Sequence, residues 1–194
     1  MFDTFSAKRV VLASNSPRRK ELLKNLKLSF VVKVKNTPDE TFPENLKKEQ
    51  IPEFLAVKKA SFYNDELNDN NTILITADTI VYCNNKVIGK PKNYDEAFEM
   101  LSLLSDRSHE VITGVAITSL NKQKVFHSVT KVFFKKLTNK EIDHYIRNYE
   151  PYDKAGAYGI QEWIGMIGIE RIEGSYFNVV GLPVQKLYTE LLKF

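Results

Sequence analysis

The sequence is poor in the residues that build disulfide frameworks and metal clusters. Among 194 residues there is a single cysteine, Cys83, and there are three histidines. One cysteine supports no disulfide framework. His109, His127 and His144 lack the spacing of metal ligands, so we do not expect a closed zinc site. Because the N-terminal stretch also lacks the features of an export signal, we expect a reducing, cytoplasmic location.

Long apolar runs and the two common nucleotide-binding loops are also missing. No apolar run reaches the length of about 18 residues that a membrane-spanning helix needs. The sequence contains neither G-x-x-x-x-G-K-[ST] nor G-x-G-x-x-G, which excludes the usual phosphate-binding loops. The net charge of +4 and the pI near 9.0 suit an anionic ligand without requiring nucleic acid.

Short β-rich runs alternate with helical patterns, and this alternation predicts a mixed α/β fold. The predicted strands are 9–13, 29–34 and 72–83, a short hairpin partner after 84–86, and two long strands joined near residue 121. Five helices are predicted. The first starts at Pro17, the second runs from Pro52 to about residue 67, and the third runs from Tyr94 to Leu104. The fourth follows the Thr138–Glu141 capping box, and the fifth lies at the end of the sequence. No repeat and no linker composition appears, so one domain over 1–194 is predicted.

Asp78 breaks the local pattern of its strand, "ILITADTIV". A lone carboxylate in such a strand costs several kcal/mol in desolvation unless it is paired or bound to a metal. Positions that break local rules tend to be functional or strained. Asp78 is therefore a candidate functional residue, and the alternative is that it lies on a solvated strand face or at a strand end.

Three further cations are candidates for binding an anion. Lys59 shares a helix face with apolar side chains and is expected either to point into a cleft or to cover apolar surface with its stem. Arg18 and Arg19 follow the Ser16 cap at a helix start, where free N–H groups and guanidinium groups together suit phosphate. The alternative for the two arginines is an ordinary solvated surface.

Weaker signals lie in three loops. Asp39 and Glu40 offer paired carboxylates for a hard cation. Lys90 follows Gly89 in "VIGKP", and "DKAGAYGIQ" (153–161) has the small, aromatic and amide residues that suit a planar base. Ordinary acidic loops and turns explain the same residues. Taken together, these cations and carboxylates are the inventory of a metal-dependent phosphate-chemistry site.

Blocks of sequence that run nearly from end to end resemble the Maf proteins, a family of nucleoside triphosphate pyrophosphatases first linked to septum formation. The matching blocks, in order, are "LASNSPRRKELL" (12–23), "DE" (39–40), "LAVKKA" (55–60), "ADTIV" (77–81), "GKP" (89–91), "AFEMLSLLSDRSHEVITGV" (97–115), "EPYDKAGAYGIQ" (150–161) and "GSYFNVVGLP" (174–183). The resemblance implies a long twisted central mixed sheet flanked by helices, with two lobes, a deep cleft, and a single Maf-like pyrophosphatase domain over 1–194.

The resemblance also implies a reaction, in which a nucleoside triphosphate is cleaved between its α and β phosphates. Asp78 corresponds to the proton acceptor that activates water. Glu40 and Asp78 would hold a divalent cation, Mg²⁺ or Mn²⁺. The implied phosphate-binding residues are Lys59, Lys90, Arg19, and the turn from Ser14 to Ser16 with the helix start.

The family divides by substrate, and three positions assign this chain to one branch. Arg18, Thr79 and Gln161 match the branch that favours dTTP and UTP over 7-methyl-GTP. An amide such as that of Gln161 can pair with the O4/N3 edge of thymine or uracil. One departure is "EWIG" (162–165) in place of the glycines that often follow "GIQ", and its bulk is expected to reshape the cleft wall and affect base preference.

Two other functions remain open from the sequence. One is a pyrophosphatase whose main target is a modified nucleotide. The other is a nucleotide- or nucleic-acid-binding regulator of cell division without significant turnover, against which no nucleic-acid-binding motif appears. The expected partner is a nucleoside triphosphate rather than a membrane or a nucleic acid. A homodimer is compatible with the resemblance, and no apolar stripe in the sequence decides it.

Overall fold

The computed structural model of the protein describes residues 8–36 and 41–194. Its strands are β1 Arg9–Leu12, β2 Val31–Val32, β3 Thr72–Cys83, β4 Lys86–Ile88, β5 Ser108–Thr118, β6 Gln123–Phe134 and β7 Ile169–Glu173. Its α-helices are α1 Pro17–Asn25, α2 Gln50–Ser61, α3 Tyr94–Leu104, α4 Asn139–Tyr149, α5 Trp163–Gly168, α6 Tyr176–Val180 and α7 Val184–Leu191. Short 3₁₀ turns lie at Asn64–Glu66, Pro151–Asp153 and Ala155–Ala157.

The seven strands form one mixed sheet with the order β2-β1-β3-β5-β6-β7, and β4 pairs with β3 off this path. Strand β1 is parallel to both β2 and β3. The β3–β4 and β6–β7 pairs are antiparallel. The predicted mixed α/β class, with a central mixed sheet and helices around it, is confirmed.

The chain divides into two compact units. The first comprises Met1–Asp78, Thr113–Ser128 and Gly181–Phe194, and the second comprises Thr79–Ile112 and Val129–Val180. The chain passes from one unit to the other within β3, β5 and β6, and again between α6 and α7. That the whole sequence acts as one domain stays a prediction.

The core of the first unit forms where helix α2 packs on β1 and β3. Every residue of β3 from Thr72 to Asp78 is buried, as a continuous apolar run predicts for a strand covered on both faces. One buried cluster contains Val11, Ala13, Ala60, Tyr63, Leu67 and Leu74. Gly114 of β5 also contacts α2 closely, because a Cβ built there would lie 2.3 Å from the carbonyl carbon of Pro52.

The core of the second unit gathers the other half of β3 with helices α3, α4 and α5. Among its buried side chains Leu101, Leu104, Tyr145, Ile146 and Ile164 are fully covered. Caps fix the helix starts as predicted. Asn93 accepts a hydrogen bond from the Glu96 amide over 2.9 Å, and Thr138 and Glu141 form a reciprocal capping box.

Most predicted element boundaries agree with the structure, and the hairpin after β3 is confirmed. Asn84 and Asn85 have φ values of 50° and 60°, the left-handed conformation that a tight two-residue hairpin turn needs. Two predicted elements had wrong bounds, because the strand predicted at 29–34 is only Val31–Val32 and the helix predicted to 67 ends at Ser61. Three elements, α5, β7 and α6, lie in a stretch for which no element was predicted.

None of the helices in residues 8–36 and 41–194 combines the length and the apolar character needed to cross a membrane.

Candidate active site

Asp78 lies in the middle of β3 and is only 4% exposed. Side chains alternate along a strand, so Thr76 and Asp78 point to the same face. On that face the Thr76 hydroxyl donates to the carbonyl of Ala56 over 2.8 Å, and the Asp78 carboxylate accepts a hydrogen bond from the Lys59 ammonium. The carboxylate is therefore buried and paired, and the alternative of a solvated strand face is wrong.

Helix α2 presents Lys59 to this carboxylate from a largely buried surface. Its neighbours Leu55, Ala56 and Ala60 are buried. The side chains of Lys59 and Asp78 are 18% and 6% exposed, so both charges have lost most of their hydration. Removing two charges from water is costly, and the cost is offset only when they meet in good geometry. The lysine stem does not simply cover apolar surface, since its ammonium pairs with Asp78.

The start of α1 forms a turn that is held by its own serines. The Ser16 hydroxyl accepts from the Arg19 amide over 3.4 Å and caps the helix. The Ser14 hydroxyl accepts from the Ser16 amide over 3.2 Å. Pro17 occupies the first helical position, where its missing N–H costs nothing. The predicted cap is confirmed, and each hydroxyl can still donate its own proton to a ligand.

Arg19 ties the start of α1 to two main-chain carbonyls of the same unit. Its Nε donates to Gly181 O and its Nη1 to Ala77 O, both over 2.8 Å, and Nη1 also lies 3.5 Å from Ser14 Oγ. Ala77 immediately precedes Asp78, so this guanidinium fixes the strand at the candidate catalytic carboxylate. The sequence predicted a phosphate contact for Arg19. The sequence did not indicate these carbonyl partners, because every residue has a main-chain carbonyl and no side-chain type marks the one that accepts. Arg18 is half-buried on the same turn.

The other predicted residues, Thr79, Lys90 and Gln161, belong to the second unit. Thr79 is half-buried directly after Asp78, and Lys90 is exposed. The amide of Gly156 donates to the carbonyl of Gly89 over 2.9 Å. This bond joins the "GKP" segment that carries Lys90 to the "DKAGAYGIQ" segment that ends at Gln161.

Gln161 lines an open groove of about 500 Å³ in the second unit. Residues of α5 and β7, together with Tyr176, form much of the remaining lining. The amide oxygen of Gln161 is buried and makes no hydrogen bond with any described residue. A buried acceptor without a partner is costly, so this oxygen calls for an explanation.

The two bulky residues after Gln161 turn away from this groove. The Glu162 carboxylate accepts a hydrogen bond from the hydroxyl of Tyr145 and lies 3.1 Å from the ammonium of Lys154. The Trp163 ring packs 4.8 Å from that of His144. Burial, followed by the bond to Glu162, raises the pKa of Tyr145 well above its usual value. Tyr145 was not singled out from the sequence, and Lys154 was noted only as part of the "DKAGAYGIQ" segment.

The predicted metal ligands are only partly within the described structure. Glu40, with its neighbour Asp39, lies outside the described residues, whereas Asp78 lies within them. The described ranges contain no group of three or more His, Cys, Asp and Glu side chains that could hold a metal ion. Asp78 supplies one carboxylate, the ligand type that Mg²⁺ takes alongside substrate phosphates. The donor chemistry therefore fits a cation that is held jointly with a bound triphosphate.

Comparison with known proteins places this chain in a family. The family model described as Maf-like protein matches residues 9–194. A relative from Phocaeicola vulgatus is 52% identical over 193 residues and covers 100% of both chains. One from Christiangramia forsetii is 52% identical, with 94% of this chain and 92% of the relative covered. Another, from Flavobacterium psychrophilum, is 50% identical, with 97% and 95% covered. All three relatives are named dTTP/UTP pyrophosphatase. Because the family model covers nearly the whole sequence, from the strand before the Ser-Pro-Arg-Arg turn to the C-terminus, this chain belongs to the Maf-like protein family.

Proposed function

We propose that this protein hydrolyses dTTP and UTP between the α and β phosphates and releases the nucleoside monophosphate and pyrophosphate. The observation that carries the proposal is the buried ion pair of Asp78 and Lys59. The names of the relatives, which are about half identical over nearly the whole chain, support it from a separate direction. Action on a modified pyrimidine nucleotide is compatible with the same chemistry.

Asp78 is the proton acceptor in this proposal. A water molecule that attacks phosphorus must lose a proton, and a positioned carboxylate can take it. The ammonium of Lys59 compensates the buried charge of Asp78, and Arg19 holds the strand at Ala77 through its carbonyl. Asp78 is thus a fixed base, oriented before substrate binds.

Cations of this chain bind and orient the triphosphate. Phosphoryl-type transition states gain mainly from positioning and from neutralisation of charge. We assign this role to Lys59, Lys90, Arg18 and Arg19, with the hydroxyls of Ser14 and Ser16. The α1 start adds amide N–H groups, which favour anions.

Asp78 and Glu40 would hold a divalent cation, Mg²⁺ or Mn²⁺, together with oxygens of the substrate. When bound, the cation would neutralise phosphate charge and polarise the bond that breaks. Removal of the metal by a chelator is expected to abolish pyrophosphate release, and added Mg²⁺ is expected to restore it.

The base is read in the second unit. We assign the choice of thymine or uracil to Gln161, with Arg18 and Thr79 as the other two specificity positions. The buried Gln161 oxygen can accept the N3–H proton of either base, while the amide nitrogen donates to O4. Cytosine presents the opposite donor and acceptor order.

A nucleotide panel tests the reaction and the substrate together. Purified protein with Mg²⁺ is given dTTP, UTP, CTP, GTP and 7-methyl-GTP, while pyrophosphate, inorganic phosphate and monophosphate are measured separately. The proposal predicts monophosphate and pyrophosphate in equal amounts, with dTTP and UTP preferred. Release of inorganic phosphate instead would contradict α–β cleavage. Tight binding without turnover would favour the alternative, a nucleotide-binding regulator of division.

The proposal also covers the partner, the cellular location and the assembly of the protein. The partner is a nucleoside triphosphate, with no role for a membrane or nucleic acid, and the location is cytoplasmic. A homodimer is the assembly that the family resemblance suggests, and light scattering on purified protein tests it.

A further inference from the structure

The carboxylate of Glu162 lies at the centre of a buried polar network in the second unit. One oxygen accepts a hydrogen bond from the Tyr145 hydroxyl, and the other lies 3.1 Å from the Lys154 ammonium. The Tyr145 oxygen in turn accepts a hydrogen bond from the amide of Gly159 over 3.0 Å. Tyr145 is fully buried, Lys154 is 8% exposed and the Glu162 side chain is 21% exposed. The Lys154 ammonium also pairs with the carboxylate of Asp153 over 2.7 Å. A network this well covered fixes its members firmly when every group is satisfied.

The network requires a carboxylate at position 162. Its two partners, the Tyr145 hydroxyl and the Lys154 ammonium, both donate, and a carboxylate accepts with both oxygens. A glutamine has only one oxygen, so whichever way its amide is turned, its NH₂ group faces one of these two donors. Gly159 is equally constrained, because a Cβ built there would lie 2.8 Å from the carboxyl carbon of Glu162.

These contacts fix the segment that carries the base-reading amide. Lys154 holds the segment near its beginning and Gly159 in its middle, and Glu162 directly follows Gln161. A main-chain hydrogen bond from the Glu162 amide to the Gly159 carbonyl, 3.0 Å long, closes the turn. Gln161, which lines the groove and whose amide oxygen is buried, therefore lies between two anchored residues.

We propose that Glu162 is a positioning residue that orients Gln161 and thereby sets the preference for uracil and thymine over cytosine. This inference rests on the proposed function. Glu162 stands where the resemblance leads one to expect a glycine. When the network is broken, the Gln161 amide can turn over and pair with the donor and acceptor order of uracil or with the opposite order of cytosine.

The test compares the specificity for UTP and CTP in Glu162→Gln and in wild type. The ratio of the two kcat/KM values is expected to fall by about tenfold or more, since small misplacements of a positioning group have large effects. Glu99→Gln is the matched control, because Glu99 is an exposed carboxylate of the same unit, and its ratio should equal that of wild type. Thermal unfolding shows that each variant is folded at the assay temperature.

A double-variant cycle separates positioning from a general loss of structure. If Glu162 acts through Gln161, then Glu162→Gln lowers the UTP/CTP ratio in wild type and leaves it unchanged in Gln161→Ala. Tyr145→Phe removes the hydroxyl from the same network and should lower the ratio as well, so it replaces Glu162→Gln if that variant does not fold. Faster hydrogen exchange at the Gly159 amide, measured without nucleotide, is expected in both variants.

The outcomes distinguish this inference from the proposed function. If wild type releases no pyrophosphate from any nucleotide, the proposed function fails. If wild type is active and a folded Glu162→Gln keeps the wild-type UTP/CTP ratio, only the inference is overturned. A fall of the ratio by the same factor in the Gln161→Ala background would also overturn it, because Glu162 would then act without Gln161.

Discussion

At the scale of single residues, the pairing of Asp78 with Lys59 is the feature that most needs a functional explanation. A buried ion pair adds little net stability, since well-packed apolar side chains of similar size often do as well or better. Asp78 lies in the buried part of β3, and Lys59 lies beside the buried residues Ala56 and Ala60 of α2. Two charges kept at such a place are better explained by chemistry that needs them than by stability.

Replacing Lys59 with methionine is expected to lower both stability and activity. The Asp78 carboxylate would lose its ammonium while staying buried, which costs about 3 kcal/mol of unfolding free energy. Pyrophosphate release should fall by about 100-fold or more, because a positioning and charge-neutralising group is lost. Urea unfolding and steady-state kinetics with UTP measure the two effects.

An exposed lysine–aspartate pair of the same unit provides the control for this variant. Lys35 pairs with Asp65, whose side chain is 67% exposed. Exposed pairs contribute little, so Lys35→Met should lose less stability and keep its activity. Normal turnover by the Lys59→Met variant would contradict the role proposed for Lys59 in the reaction.

The residue scale also shows which contacts a sequence can reveal. Asp78 and Lys59 were predictable because a charge in an apolar pattern is a local signal. The carbonyl partners of Arg19, at Ala77 and Gly181, were not, since they depend on how distant segments meet. Glu162 was noticed only as a departure from the family pattern, and its pairing with Tyr145 and Lys154 required coordinates.

At the scale of elements, the close packing of α2 against β5 helps to position the helix that carries Lys59. Gly114 makes this packing close, because the main chain of Pro52 and Glu53 occupies the space of a Cβ. Gly114→Ala should destabilise the protein by about 3 kcal/mol, since main-chain atoms rather than a flexible side chain must move. Differential scanning calorimetry measures this loss.

Gly89→Ala is the control for this substitution, because no heavy atom lies within 4 Å of a Cβ built at Gly89. Its Tm should stay near that of wild type. If Gly114→Ala and Gly89→Ala melt at the same temperature, the tight contact between α2 and β5 is not a determinant of stability.

The cap of α4 makes stability depend on acidity. The hydrogen bond from Lys135, followed by that from the Thr138 amide, lowers the pKa of Glu141 from 4.5 to about 2. A pKa lowered by folding stabilises the protein fully above about pH 4.5, and the effect is lost as the pH falls toward 2. Glu141→Gln should therefore lower Tm by about 3 °C at pH 7. The difference from wild type should shrink as the pH falls below 4.5.

Thermal melts of wild type and Glu141→Gln from pH 7 downward measure this dependence. Glu99→Gln, on the exposed face of α3, should show no such trend. A difference in Tm that stays constant from pH 7 to pH 3 would mean that the capping carboxylate does not titrate as described.

Elements with a strong local signal were predictable, and those defined by their partners were not. The bounds of β3, α3 and the capped start of α4 agree with the sequence pattern. The run at 29–34 looked like a strand, but only Val31 and Val32 pair with β1, and both are exposed. Strand β7 escaped prediction because it lies in a glycine-rich segment and is defined by its pairing with β6.

At the scale of the whole molecule, the family match extends over both compact units. The first unit carries Asp78, Lys59 and the α1 start, and the second carries Lys90, Gln161 and the Glu162 network. The net charge of +4 suits a polyanionic substrate. In the proposed function the proton acceptor Asp78 belongs to the first unit and Gln161, which is proposed to recognise the base, belongs to the second.

The central claim is that the buried Asp78 carboxylate takes the proton from the attacking water. The direct test is to measure pyrophosphate release from UTP by the Asp78→Asn variant. Asp65→Asn, which changes an exposed carboxylate, is the control. Thermal unfolding shows that both variants are folded. The account predicts a loss of about 100-fold or more in kcat for Asp78→Asn and wild-type turnover for Asp65→Asn. A folded Asp78→Asn that releases pyrophosphate at the wild-type rate would contradict the claim.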